Sequence, residues 1–130
     1  PKQEQGVKMI RHDQKKYALM AYALTSERHY AKIAKYLQKK IGVSAPEYSI
    51  SRCVAQNRED RKNTPYYYGS WYIQEGNGIF RLACNDDLES RLSFVKNVKY
   101  GKDGENVFSE LDFIIMINES PNSSVISIFP

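Results

Sequence analysis

The chain has 130 residues and a mass of 15.0 kDa, 42% of them hydrophobic and 26% charged, which is the make-up of one folded domain and not of a disordered segment. Its net charge of +4 is unevenly divided: the first 64 residues carry 14 Lys and Arg against 6 Asp and Glu, and the remaining 66 carry 5 against 9, so one face is expected to meet a polyanion and another is not. Apolar runs such as residues 113–117 fall far short of the ~20 residues that span a bilayer, which argues against a transmembrane helix.

Residues 1–13 are polar and without period, and read as a loose basic arm. Residues 14–24 follow with Ala and Leu in quantity and no Gly or Pro, which predicts a helix, apolar nearly all round and therefore packed on several sides. After a capping stretch at Thr25-Ser26-Glu27, Tyr30, Ile33, Ala34, Leu37 and Ile41 repeat at the spacing of one helix face. Lys32, Lys35 and Lys39 lie off that face, Lys40 suits the negative end of the helix dipole, and Gly42 is the expected stop. Ser44-Ala45-Pro46-Glu47 has the form of a capping box, predicting a third helix to about Asn57. Ile50, Cys53, Val54 and Asn57 fall on its inner side, and Tyr48, Ser49, Arg52, Ala55, Gln56 and Glu59 on the outer.

The residues from Arg58 to Pro65 break the pattern with charge and turn formers. A strand is predicted over 70–74, with Trp71 and Ile73 on one face, then a hairpin turn at Glu75-Gly76-Asn77-Gly78 and a return strand over 79–83. Beyond it the expectation is an acidic, strand-rich extension. That extension holds a short helical turn at 86–90, loose alternation over 91–100, a turn at 101–104, the most apolar strand over 107–118, a turn at 119–123 and a closing strand over 124–129. No internal repeat or low-complexity tract appears.

Three helices followed by a Gly-tipped hairpin resemble the winged-helix superfamily. Residues 17–24 are similar to its first helix, residues 30–37 to its second, and residues 76–83 to the closure of its wing. The likeness is to linker-histone and forkhead-like domains and to winged helices at the front of some restriction endonucleases. It covers residues 14–83, roughly half of the chain, and singles out no subfamily. The expected class is α+β: an arm (1–13), a winged-helix-like three-helix unit with its hairpin (14–83), and an antiparallel β-rich acidic extension packed on the same domain (84–130).

The resemblance implies double-stranded DNA as partner, with the third helix in the major groove. Arg52 and Gln56 are the residues suited to base edges, with Ser49 beside them. Lys32, Lys35, Lys39, Lys40 and Arg58 are suited to phosphates. On the wing the candidates are Asn77 at the tip and Arg81 behind it, although the tip itself carries no cation. The tyrosines at 66, 67 and 68, with Trp71, could stack on bases or cover the sheet.

Catalysis is not expected. Asp86, Asp87, Glu110 and Asp112 could be imagined as nuclease carboxylates, but no Glu-x-Lys, phosphate loop or nucleophile set accompanies them. Cys53 and Cys84 form no Cys-x-x-Cys, and His12 and His29 have no ligand spacing, so neither metal nor cofactor is expected. The opening residues show no basic-then-apolar leader, and the expected compartment is the cytoplasm, or the nucleus in a eukaryote. Two alternatives remain: a protein-interaction module using the acidic half, which could also serve as a homodimer edge, and the DNA-targeting portion of a nuclease.

Overall fold

A computed structural model describes residues 14–42, 46–64 and 66–119. The basic arm, Ser44 of the capping box and the closing strand lie outside the described residues. The class is α+β, with helices α1 (Gln14–Leu24), α2 (Tyr30–Tyr36), α3 (Glu47–Gln56), α4 (Leu88–Asn97) and α5 (Glu110–Glu119) and one hairpin, β1 (Tyr72–Gly76) with β2 (Ile79–Leu82).

α1 is the centre of the packing. Residues 18–24 are all buried, as an all-round apolar helix requires, and α1 packs on α2, α3, α4 and β2. It stops where Thr25 returns both its N–H and its hydroxyl to the Ala21 carbonyl (3.1 and 2.9 Å). The start of α2 is capped from its own loop: the Glu27 carboxylate accepts the N–H of Arg28 and of His29, and His29 Nδ1 accepts the N–H of Ala31 at 3.1 Å. The helix does not keep its α form to residue 41. It widens into a π turn over Leu37–Ile41 and is closed by Gly42 at φ 80°, a conformation that glycine adopts without cost. Ile33, Ala34 and Leu37 are buried as the spacing predicts, as are Ile50, Cys53 and Val54 on α3.

The hairpin pairs Tyr72 with Leu82 and Gln74 with Phe80, and a bulge leaves Glu75 unpaired. Its tip is docked rather than projecting. Tyr30 donates its N–H to the Gly78 carbonyl and Phe80 donates to that of Arg28 (3.1 and 2.9 Å), while His29 forms a bridge with Ile79. The predicted inner face of β1 is shifted by one residue. Trp71 and Tyr72 are both buried, and Ile73 faces out. Trp71 precedes the ladder and turns inward from the loop, so alternation counted from it misplaces Tyr72 and Ile73.

The β-rich extension is not found: the described residues after the hairpin fold as two helices. In α4, Asp87 caps the first turn by accepting the Ser90 N–H at 2.8 Å, and Leu92 and Val95 fill the core from one face. In α5, the Ser109 hydroxyl accepts the Asp112 N–H at 3.0 Å, and Phe113, Met116 and Ile117 are buried at helical spacing. The run reads as a strand only because its outer face is apolar too: Leu111, Ile114 and Ile115 are exposed.

One hydrophobic cluster extends from Ala18 to Ile117 and contains Ile33, Leu37, Ile50, Val54, Trp71 and Leu82 together. Leu37 is fully buried in it. Leu37→Ala is expected to lower stability by ~2–5 kcal/mol, read from the urea unfolding midpoint; a loss under about 0.5 kcal/mol, the scale of a surface substitution, would show that this packing is loose.

Candidate nucleic-acid interface

α2 and α3 pack together and present their cations outward. Lys32 and Lys35 lie three apart on α2, on one side of its surface, Lys39 and Lys40 follow on the π turn that continues it, and all four are exposed. Lys32 lies 4.0 Å from Glu27. Lys35, Lys39 and Lys40 make no ion pair among the described residues. On α3, Arg52 is exposed and Ser49 half-buried.

The other candidates are spent inside the molecule. Gln56 uses its amide oxygen to accept a hydrogen bond from Lys15, so the two-handed grip that reads adenine is not free. Arg58 binds Asp60 through Nε at 2.9 Å and lies over the Phe80 ring. That hydrogen bond holds the Asp60 carboxyl below the ordinary aspartate range.

Arg81 is held more tightly still. Its guanidinium bonds Glu75 at 2.9 Å and the carbonyls of Leu82 and Cys84. Glu75 in turn pairs with Arg28, Arg28 with Asp86, and Asp86 with Arg91. The chain of charges fastens the bulge of β1 to the start of α2 and the loop before α4. Asn77 stays exposed at the tip, but with Arg81 withdrawn the hairpin offers no cation there. Partial burial works against the charge of Asp86, and the hydrogen bonds from Arg91 and Arg28 outweigh it, leaving its carboxyl below the usual value.

A groove lies beside the outer face of α3. It encloses about 660 Å³ between the start of α1, α3 and the tyrosine loop, and a smaller hollow of about 340 Å³ shares Arg52, Gln56 and Tyr66 with it. Lys15 reaches in from α1 and sits 5.7 Å from the centre of the Tyr68 ring. Burial, and Arg52 nearby, lower its affinity for a proton. Tyr68 itself is packed, stacked on Trp71 and edge-on to Tyr100. Tyr66 is different: it is 63% exposed and its backbone sits at φ 66°, a left-handed conformation costly for a bulky residue.

Asn57 fixes this loop. Its side chain is wholly buried, accepting the Tyr68 N–H at 2.8 Å and donating to the Cys53 carbonyl at 3.3 Å. Its backbone carbonyl accepts from Trp71 and from Tyr72 (2.9 and 3.1 Å). Lys15 and Tyr100, which reach the groove from α1 and from beyond α4, were not legible as site residues. The only trace of Lys15 was its place in the cationic first turn of an otherwise apolar helix.

No family model matches the chain, and no curated protein or solved structure matches it. Among the described residues no group of three His, Cys, Asp or Glu could hold a metal ion, and no helix is long and apolar enough to cross a membrane.

Asn57→Ala orphans the Tyr68 N–H in a buried place, and an expected loss of roughly 1–3 kcal/mol should appear in the unfolding midpoint. The Asp86 network carries a pH signature. A carboxyl whose folded pKa lies below its unfolded value of about 3.9 contributes stability above that pH and loses it as pH falls through the folded value. Wild type should therefore exceed Asp86→Asn at neutral pH, with the gap between their urea midpoints closing below about pH 4. A gap that is constant from neutral pH to about pH 3 would mean that the network adds nothing through charge.

Proposed function

We propose that this chain is a non-catalytic protein that binds double-stranded DNA through α2 and α3. The observation that carries the reading is the set of exposed lysines on α2 and its π turn. Lys35, Lys39 and Lys40 are exposed without a carboxylate partner among the described residues, on α2 and the π turn that continues it, and α2 packs against α3, whose Arg52 is exposed too. When unpaired lysines and arginines neutralise phosphates, the duplex releases the counterions condensed on it, and that release is the main drive of duplex binding. The order of three helices and a hairpin, with the hairpin docked on the first turn of α2, supports the winged-helix resemblance. In this reading Arg52 is the base-reading residue, Ser49 lies beside it, and the lysines grip the backbone. The hairpin serves to hold α2 in place, since Arg81 is occupied within the fold.

A second reading has one observation in its favour. α5 turns Leu111, Ile114 and Ile115 to solvent, the first of them 66% exposed, and an apolar helix face of that kind suits a protein partner.

Titration of labelled duplex at several salt concentrations tests the first reading. Log affinity should fall with log salt at a slope of about −0.9 per phosphate neutralised. Lys39→Ala should weaken all duplexes alike and reduce the slope by about one, whereas Arg52→Ala should cost ~1–3 kcal/mol at one position of a preferred site. Absence of binding at low salt by folded protein would remove the DNA reading. Equal losses on every sequence for Arg52→Ala would make the protein a backbone binder.

A further inference from the structure

The groove between α1, α3 and the tyrosine loop has features that a lysine surface for duplex phosphates does not need. Among the described residues, its walls and those of the hollow that joins it carry three cations, Lys15, Arg52 and Arg61, and no carboxylate. Lys15 meets a neutral amide and the face of a tyrosine ring, and no carboxylate among the described residues, and it shares the groove with Arg52. Two like charges facing one cavity without a counter-ion are relieved by an anion. The same cavity is bordered by Tyr66, a large ring that makes no ring–ring contact among the described residues and is held outward by a backbone conformation the chain must be forced to adopt. Ser49 adds a hydroxyl on the α3 side. Its volume of about 660 Å³ falls among those of small-ligand sites, ~300–1,000 Å³.

An anion site beside a free aromatic face matches a phosphate joined to a planar ring. We propose that this groove holds one unpaired nucleotide, with the base stacked on Tyr66, the phosphate between Lys15 and Arg52, and Ser49 toward the base edge. The inference rests on the reading of the α2–α3 face as a nucleic-acid surface. It adds that the protein distinguishes duplex bearing a single-stranded tail or end from continuous duplex. Stacking of this kind is tolerant of sequence, because every base has a π face. Arg52, at the rim shared by the groove and its neighbouring hollow, then contacts nucleic acid from both sides.

The test compares a blunt duplex with the same duplex bearing a single-stranded thymidine tail, by fluorescence anisotropy at fixed salt with the full chain. The tail should raise affinity about tenfold. Tyr66→Ala, an exposed position whose loss removes no core contact, should abolish that gain and leave blunt-duplex affinity unchanged, and Tyr66→Phe should keep it. Thymidine monophosphate in excess separates two sources of the same chemistry: if it cancels the gain the groove takes a free nucleotide, and if it does not the groove takes a nucleotide within a strand. Equal affinity for tailed and blunt duplex, or a gain that survives Tyr66→Ala, overturns the groove site while leaving the duplex reading in place. Failure of both DNAs to bind at low salt overturns the two together.

Discussion

The buried amide of Asn57 is the point on which the second half of the described fold depends. An Asn side chain in the core must find partners or cost the stability of a lost hydrogen bond. Here it finds them in two directions at once, in the Cys53 carbonyl of the last turn of α3 and in the N–H of Tyr68. Its own carbonyl then takes the N–H groups of Trp71 and Tyr72. A helix end, a loop and the start of a strand are thus tied to a single residue. Everything downstream inherits that anchor: the inward turn of Trp71, the register of the hairpin, and the position of the tyrosine loop against α3.

The cations of the chain divide by chemistry as well as by place. Arginines do most of the internal work. Arg28, Arg81 and Arg91 bind carboxylates and carbonyls around the hairpin, and Arg58 clamps Asp60 while covering Phe80. A planar fork with several fixed donors suits such multiple contacts, and a compact, strongly hydrated ammonium does not. The lysines of α2 stay in water, where they are available to a polyanion. Arg52 and Arg61, the arginines at the groove, break the division from one side, and Lys15 and Lys16, bonded to Gln56 and Asp112, break it from the other.

How much of this could be read from the residues follows from where the signals were local. The inner faces of α2 and α3 were legible because buried and exposed residues alternate at helical spacing, and Gly42 marked an end that only a left-handed residue closes. The hairpin was legible from its turn. α5 was not, because both of its faces are apolar and period cannot separate two similar faces. The capping serine at 109 and Asp112 three residues on were the available clue. α4 was obscured for a different reason: its polar first turn reads as an isolated turn, although Asp87 caps a helix there. In the site, residues that act from one helix were visible. The roles of Lys15, Tyr100 and the occupied state of Gln56 and Arg81 depend on contacts between distant segments, and no pattern along the chain encodes those.

The ends of α1 are completed by residues made much later. Arg91 donates to the Ala23 carbonyl across 68 positions, and Lys16 meets Asp112 across 96. During synthesis, at ~5–20 residues per second, α1 therefore emerges roughly several seconds before the helices that cover it. Throughout that interval residues 18–24, all buried in the finished protein, have nothing to pack against on the α4 side. The newborn chain passes through a stage in which the helix most deeply buried in the finished fold is still uncovered on the side that α4 will close.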